Sequence, residues 1–384
     1  MYKKYVVALV IFMCSVWAED VPKVVASIDS LKISRHELAE LLNDRYQLLE
    51  GKVKRDKSAE YEVINSLQKR VVLAALEELI TLRLTKSKLT KLKVKCVPKE
   101  YVEEAKRAEK PFFTMYAKWG LSNPISFLDS LSKILKGDKK LNDKYGPAVK
   151  NLSLKFRLSV EDRKEILKIW SAVEKSSLHG KARMHVFKHH SITMKNFKTR
   201  VKVNAMLRKY IIQNKSNKDI QEIMDKESFP LSGGIIRLSH ILFFTIDPVS
   251  KKELPAEEQK KLYQKMIKMK KKIVSGGNFE KMAEKYSDDE TTKYKNGDLG
   301  FVPRWGMFAK EIIEVAYKSK KDEIKGPIKT EFGYHLIKVT DVKKGKDLPT
   351  SELREKAIER YVAMKKEKIL KKWYGDAKIT RFFR

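Results

Sequence analysis

Two short runs of strand-forming residues, roughly a hundred positions apart, constrain this chain more than any other feature. One is Arg237-Leu238-Ser239-His240-Ile241-Leu242, inside an apolar stretch from Ile235 to Phe244. The other is Thr330-Glu331-Phe332-Gly333-Tyr334-His335-Leu336-Ile337-Lys338-Val339. Most of the remaining chain reads as lysine-rich helix. A strand with apolar residues on both faces must lie inside a sheet that is covered on both sides. The run from Ile235 to Phe244 is expected to be such a strand, and each of the two runs brings one histidine.

The segment between them supplies the cover. Pro255 opens a long helix with an apolar stripe of Leu262, Met266, Met269 and Ile273, and Gly276-Gly277 stops it. Asn278 caps a second helix carrying Phe279, Met282, Ala283 and Tyr286 at i, i+3, i+4 and i+7. Ser287-Asp288-Asp289 ends it, and the loop Asn296-Gly297-Asp298-Leu299-Gly300 follows. A short helix is expected around 309–318, a turn at Lys320-Lys321-Asp322-Glu323, and strands at 327–329 and 334–340. Phe229-Pro230 and Ser232-Gly233-Gly234 mark the best domain boundary. The module is expected to span 234–344.

This order of strand, helices and strands, with its two histidine segments and Asn-Gly-Asp-Leu-Gly loop, resembles the parvulin family of peptidyl-prolyl isomerases. The resemblance implies an α+β fold class, a parvulin domain (a small antiparallel sheet with covering helices) inserted in a mainly α-helical chaperone domain. It implies cis-trans isomerisation of X-Pro bonds, with no cofactor. His240 and His335 match the family's paired histidines, and Thr330 the hydroxyl that orients them. Asp289 falls where the family has Asp or Cys. These four are the expected catalytic residues, and Leu299, Phe301, Met307, Ile312 and Phe332 are expected to line the substrate site. The pattern departs at Val302, where the family tends to have an aromatic residue. It departs again at Ile312, where the usual aromatic would lie one residue earlier.

The N-terminus bears on location. Lys3 and Lys4 precede an apolar run from Val6 to Val16, and Val16-Trp17-Ala18 ends in a small residue before Glu19-Asp20. This is the layout of a secretory signal peptide over 1–18. The run is shorter than the roughly 20 residues that span a bilayer, so no stable membrane insertion is expected after cleavage. Phe12-Met13 before Cys14 is a poor lipoprotein site. Export to the periplasm is the expectation, with lipid anchoring the weaker alternative. Cys96 would then be the one thiol left and would form no internal disulfide.

A formal net charge of +34 first suggests a nucleic-acid partner. Export removes the chromosome from reach, and no nucleic-acid partner is expected. The charge is also unfocused. Residues 234–344 hold 24 Lys and Arg against 16 Asp and Glu, a density similar to that of the rest.

The flanking parts read as one helical body. Val24–Ile28 and Leu31–Ile33 around Asp29-Ser30 suggest a hairpin, and Ser34-Arg35-His36-Glu37 a capping box. A hairpin and capped helix at this point resemble the start of the SurA and PrsA chaperone-isomerases. Helices are expected over 62–92 and from Pro98, again from Thr193, near 217–226, and from Pro349-Thr350 to about Gly375. The expected domains are 1–18, 19–233 with an insertion near 111–190, 234–344, and 345–384, the last packing on the helical body. Within the insertion, 126–136 and 158–175 read as helical. His179, His185, His189 and His190 there lack a carboxylate or thiol between 175 and 200, so a solvated basic loop is favoured over a metal site.

The implied function is isomerase and chaperone for unfolded exported or outer-membrane polypeptides. The alternative is a non-catalytic holdase that keeps the parvulin fold for peptide binding. The sequence leaves the oligomeric state open.

Overall fold

The computed structural model describes residues 21–46, 67, 69–155, 157–190, 192–247, 252–306 and 308–382. The expected signal peptide and Met307 lie outside the described residues. The chain forms two compact units, Met1–Asn214 with Met364–Arg384, and Lys215–Ala363.

The first unit starts with the expected hairpin, β1 (Val24–Ile28) and β2 (Leu31–Ser34). Asp29 takes the left-handed conformation at the turn (φ 51°), which its short polar side chain tolerates. Ser34 Oγ accepts from Glu37 N at 3.2 Å, and Glu37 Oε2 accepts from Ser34 N at 3.0 Å. This reciprocal cap starts α1 (Arg35–Tyr46). Its Leu38 and Leu42 join Val25, Ile28 and Ile33 of the hairpin and Val72, Leu76 and Ile80 of α2 (Lys69–Lys91) in one core.

A second core of the same unit gathers α3 (Pro98–Ser122), α4 (Pro124–Leu135), α5 (Lys139–Ser153), α6 (Val160–Lys175), α7 (His179–His189) and α8 (Met194–Gln213). Phe113, Tyr116, Phe127, Ile166, Trp170 and Phe187 are buried in it. The expected helices at 126–136 and 158–175 are α4 and α6. The stretch read as an insertion from 111 begins inside α3, which continues through Pro111. Nor do residues 179–190 form a basic loop. They form α7, because Ala182, Val186 and Phe187 share one face and are buried.

The second unit opens with α9 (Asn217–Leu231), which reaches beyond the expected 226 and is kinked at Glu227 (φ −120°). Then come β3 (Ile235–Phe244), α10 (Ala256–Val274), α11 (Phe279–Tyr286), β4 (Asp298–Val302), α12 (Lys310–Ala316), β5 (Ile324–Lys329) and β6 (Gly333–Lys343). The strands form one antiparallel sheet in the order β4-β3-β6-β5. As its two-faced apolar run requires, β3 is an inner strand, and β6 is the other. One sheet face packs Ile241, Phe243 and Leu336 against Met266, Met269 and Ile273 of α10 and Phe279 and Ala283 of α11. The other packs Ile236, Leu238, Ile337 and Val339 against Val302, Ile312 and Ile313. Each face buries several large aliphatic side chains, worth roughly 1.5–3 kcal/mol apiece.

The last helix, α13 (Thr350–Gly375), begins in the second unit and ends in the first. Beyond it β7 (Ile379–Arg381) pairs antiparallel with β1, giving a three-stranded sheet ordered β2-β1-β7. The Arg381 guanidinium donates to both oxygens of Glu77 on α2, at 2.5 and 2.9 Å, and Tyr374 Oη bonds the same carboxylate. The Arg381 bond is the main reason the Glu77 carboxyl is held below its usual range. Among the described residues no helix is long and apolar enough to cross a membrane.

Candidate active site

The register of β3 against β6 decides where the histidines meet. Leu242 lies opposite His335, and His240 opposite Ile337. The two histidines are therefore diagonal neighbours on one face, within reach of each other. Their Nδ1 atoms are 3.3 Å apart and the rings are nearly stacked, with centroids 5.5 Å apart. His240 is 5 % exposed and His335 2 %. Alternation puts both on the face that carries the Ile337, Val339 and Ile312 cluster, further along the strands.

Two glycines make this packing close. Gly297 (φ 73°) lets its backbone accept from His240 N at 2.9 Å, and a Cβ there would meet the His240 carbonyl oxygen at 2.2 Å. Gly333 (φ 151°) closes the turn into β6, where its carbonyl accepts from Thr330 N at 2.8 Å. A Cβ on Gly333 would meet the Phe243 carbonyl oxygen at 2.0 Å. That turn carries Thr330, whose Oγ1 is 2.8 Å from His335 Nε2.

Asp289 arrives along the edge of β3. Ser287 Oγ accepts from Leu242 N at 3.1 Å, and Asp288 N donates to Leu242 O at 2.8 Å. Asp288 Oδ2 takes Phe244 N at 2.9 Å. Ser287 and Asp288 thus occupy the strand groups that β4 leaves unpaired, and the next residue reaches the histidines. Asp289 Oδ2 lies 2.8 Å from His240 Nε2 and accepts from Thr292 Oγ1 at 2.5 Å. Its Oδ1 accepts from Thr291 N and Oγ1 at 3.1 and 2.6 Å.

The proton positions follow from donor counting. The His240 bond, helped by both threonine hydroxyls, holds Asp289 far below the usual carboxylate range, so it is an acceptor. Burial is the main cause that lowers His335 from 6.5 to about 3, so that ring is neutral. Thr330 Oγ1 already accepts from Phe332 N at 3.1 Å, leaving its hydroxyl proton for His335 Nε2. His335 then donates through Nδ1 to His240 Nδ1, and His240 donates through Nε2 to Asp289. This is the assignment that pairs each donor along the chain with an acceptor. The result is a one-way chain, Thr330 to His335 to His240 to Asp289. Each bond polarises the next, and the chain ends on a fixed negative charge.

Thr292 belongs to this network and was not singled out from the sequence. It is 7 % exposed and lies 3.1 Å from His240 Nε2 as well as bonding Asp289. Hydroxyls two and three residues after an aspartate are the signature of a side chain held by its own turn, which is the signal that would have found it.

The expected substrate-binding residues are less uniformly placed. Leu299 is half-buried beside the cluster that contains Ile312. Ile312 is buried there, as is Val302, opposite Ile236 in the sheet. Phe301 carries the Lys343 ammonium 3.9 Å from its ring centre. Phe332 is 51 % exposed on the turn after Thr330. Phe308 is half-buried against the same cluster as Leu299. Lys252 lies in the loop after β3.

A family model described as "Rotamase: PPIC-type PPIASE domain" matches residues 240–341, the span from the first histidine to the end of the sheet. Residues 240–341 are a parvulin domain. The domain is thus a peptidyl-prolyl cis-trans isomerase domain of the PPIC type. The chain is 48% identical over 79 residues to Foldase protein PrsA 1 of Bacillus cereus, a match spanning 21% of this chain and 27% of that relative. It is 28% identical over 247 residues to a parvulin-like PPIase of Rickettsia typhi, covering 62% of this chain and 77% of the relative. Among solved structures, PrsA from Bacillus anthracis is similar at 25% identity and a TM-score of 0.32, covering 60% of this chain and 95% of that one.

Proposed function

We propose that this chain is an exported folding factor that isomerises prolyl bonds at the His240–His335–Asp289 site and holds unfolded clients on its helical parts. The observation that carries the reading is the continuous hydrogen-bond chain from Thr330 to Asp289 beneath one face of the sheet. A prolyl peptide bond resists rotation by roughly 18–20 kcal/mol because its C–N bond has partial double-bond character. Catalysis needs no covalent step. The site has only to favour the twisted amide over the planar one.

In the planar amide the carbonyl oxygen carries excess negative charge, which twisting returns to nitrogen. The Asp289 carboxylate, held ionised by four hydrogen-bond donors, disfavours the planar form of a carbonyl bound beside it. The histidines and Thr330 do not exchange protons in this scheme. They form a rigid floor that fixes the carboxylate and excludes water. Leu299, Phe308 and Ile312 form an apolar wall suited to a prolyl ring, to which Met307 and Phe332 are the proposed additions. Phe301 is the outer member, under Lys343.

The signal-peptide layout of 1–18 supports export to the periplasm, with unfolded exported or outer-membrane polypeptides as clients. The Rickettsia typhi relative is named a parvulin-like PPIase and the Bacillus cereus relative a foldase, which supports the two halves of the proposal. The test is cis-trans exchange on a short prolyl peptide, measured by NMR. Exchange in the wild type that is lost in Asp289→Ala supports catalysis. No exchange in the intact protein sinks it. That outcome would favour a non-catalytic holdase, a reading that draws on the departures from the family pattern at Val302 and Ile312.

A further inference from the structure

In the first unit, a cavity of about 820 Å³ lies between the start of α4 and the connection from α5 to α6. Leu121, Ile125 and Leu158 line it together with Lys155, Arg157 and Arg163. Ile125 in its lining is 79 % exposed, and Leu154 and Val160, near Lys155 and Leu158 in sequence, are 78 % and 63 % exposed. A large aliphatic side chain left in water on the wall of a groove is suited to an interaction surface.

The basic groups differ in what they are free to do. Lys155 is committed to Asp162, at 2.7 Å, and Asp162 also closes the cap of α6 through Ser159. Arg163 gives one nitrogen to the Leu121 carbonyl at 3.4 Å and has no carboxylate partner among the described residues. Arg157 is exposed and has neither hydrogen bond nor ion pair among them. The first turn of α4 also faces this cavity. Asn123 donates its side-chain Nδ2 to the Trp119 carbonyl at 3.0 Å, and its side chain caps no described helix N–H. The groove therefore combines aliphatic walls with two guanidiniums and the positive end of a helix, with no acidic lining residue.

We propose that this groove binds extended polypeptide segments in which acidic side chains alternate with large apolar ones. The aliphatic walls take the apolar side chains, and Arg157 and Arg163 each present a planar fork to a carboxylate. Concavity favours a chain over a flat bilayer, since side chains can enter the groove and a lipid surface cannot follow its walls. The inference rests on the folding-factor reading, and gives the helical unit a client preference of its own.

The test uses the full-length chain and a fluorescent peptide of alternating Glu and Leu, followed by anisotropy. Its probes are that peptide, its Lys-for-Glu counterpart, and phosphatidylglycerol vesicles. The acidic peptide should bind at least tenfold more tightly than the basic one, and weaken as salt rises. Arg157→Glu with Arg163→Glu should weaken it at least tenfold, and Ile125→Ser should weaken both peptides. All three positions are exposed, and circular dichroism confirms that the variants fold. Equal binding of the two peptides, or wild-type binding by the double charge variant, would overturn the proposal. So would binding to the vesicles that the variants abolish while peptide binding persists. Exchange on a short prolyl peptide, read in parallel, should stay unchanged in all variants. Loss of peptide binding with exchange intact separates this site from the isomerase reading.

Discussion

The chain holds two groups of histidines, and they have opposite fates. His240 and His335 are joined end to end by hydrogen bonds that terminate on Asp289. His179, His185 and His189 sit on α7 and meet aromatic rings instead. His189 lies 4.2 Å from the Trp119 ring and 5.1 Å from Tyr116, and His185 lies 6.3 Å from Tyr116. His179 stacks on Phe113 and bonds Glu109 at 2.8 Å, and Arg183 bonds the same carboxylate at 3.1 Å. Both groups are partly or wholly desolvated, and burial lowers His185 and His189 as it does His335. Desolvation therefore does not distinguish a candidate site from a packing surface. What sets the first group apart is that one histidine bonds the other and the pair ends on a carboxylate.

The contrast can be broken by substitution. Asp289→Ala or His240→Ala should slow prolyl exchange about a hundredfold, the scale for removing a preorganised electrostatic group. Exchange within a few fold of wild type would leave the paired histidines as mere packing. Glu109→Ala should destabilise the helical unit by about 2 kcal/mol, since it frees Arg183 and His179 from a buried carboxylate, while exchange stays at the wild-type rate. Urea melts and NMR exchange on the same sample read both.

Acidification sharpens the comparison. The folded form disfavours protonating His335, whose value falls from 6.5 to about 3. Its contribution to stability is complete above pH 6.5 and is lost as the pH falls below that, with a slope of up to about 1.4 kcal/mol per pH unit. Asp289 adds a further loss below its ordinary value of 3.8. His335→Asn should flatten the first of these slopes, as seen in urea midpoints across that range. Thr292→Val removes a hydroxyl from Asp289 and should cost about 1 kcal/mol, read as a few-fold loss of exchange with little change in substrate affinity. The smallest effect is expected for His189→Ala. It should lower stability by less than about 1 kcal/mol through lost ring contacts and leave exchange untouched.

The sheet was legible because β3 and β6 are apolar on both faces, and little else in the chain is. The histidines, Thr330 and Asp289 could be named in advance because each sits in a short motif. Thr292 was missed because its role arises from the turn that Asp289 makes, not from a motif of its own. The helical region after Pro98 was harder to read. Pro111 lies inside α3, which continues through it with Phe113, Tyr116 and Ala117 packed beyond. The α7 histidines looked like loop composition because their partners, Phe113, Tyr116 and Trp119, lie some sixty to seventy positions earlier. Such long-range contacts have no signature in local pattern.

The pairing of β7 with β1 has a consequence for the order in which the molecule can be built. Val25, Ala26, Ser27 and Ile28 leave the ribosome among the first described residues, but the strand that completes their sheet is among the last. Asp29 N meets the Lys378 carbonyl only once the chain has been made well past the isomerase sheet. The strands of the isomerase sheet, Ile235–Phe244 to Gly333–Lys343, are all made before that moment. During synthesis the isomerase sheet can thus form before β7 exists, and a ribosome stalled after residue 363 leaves β1 paired with β2 alone.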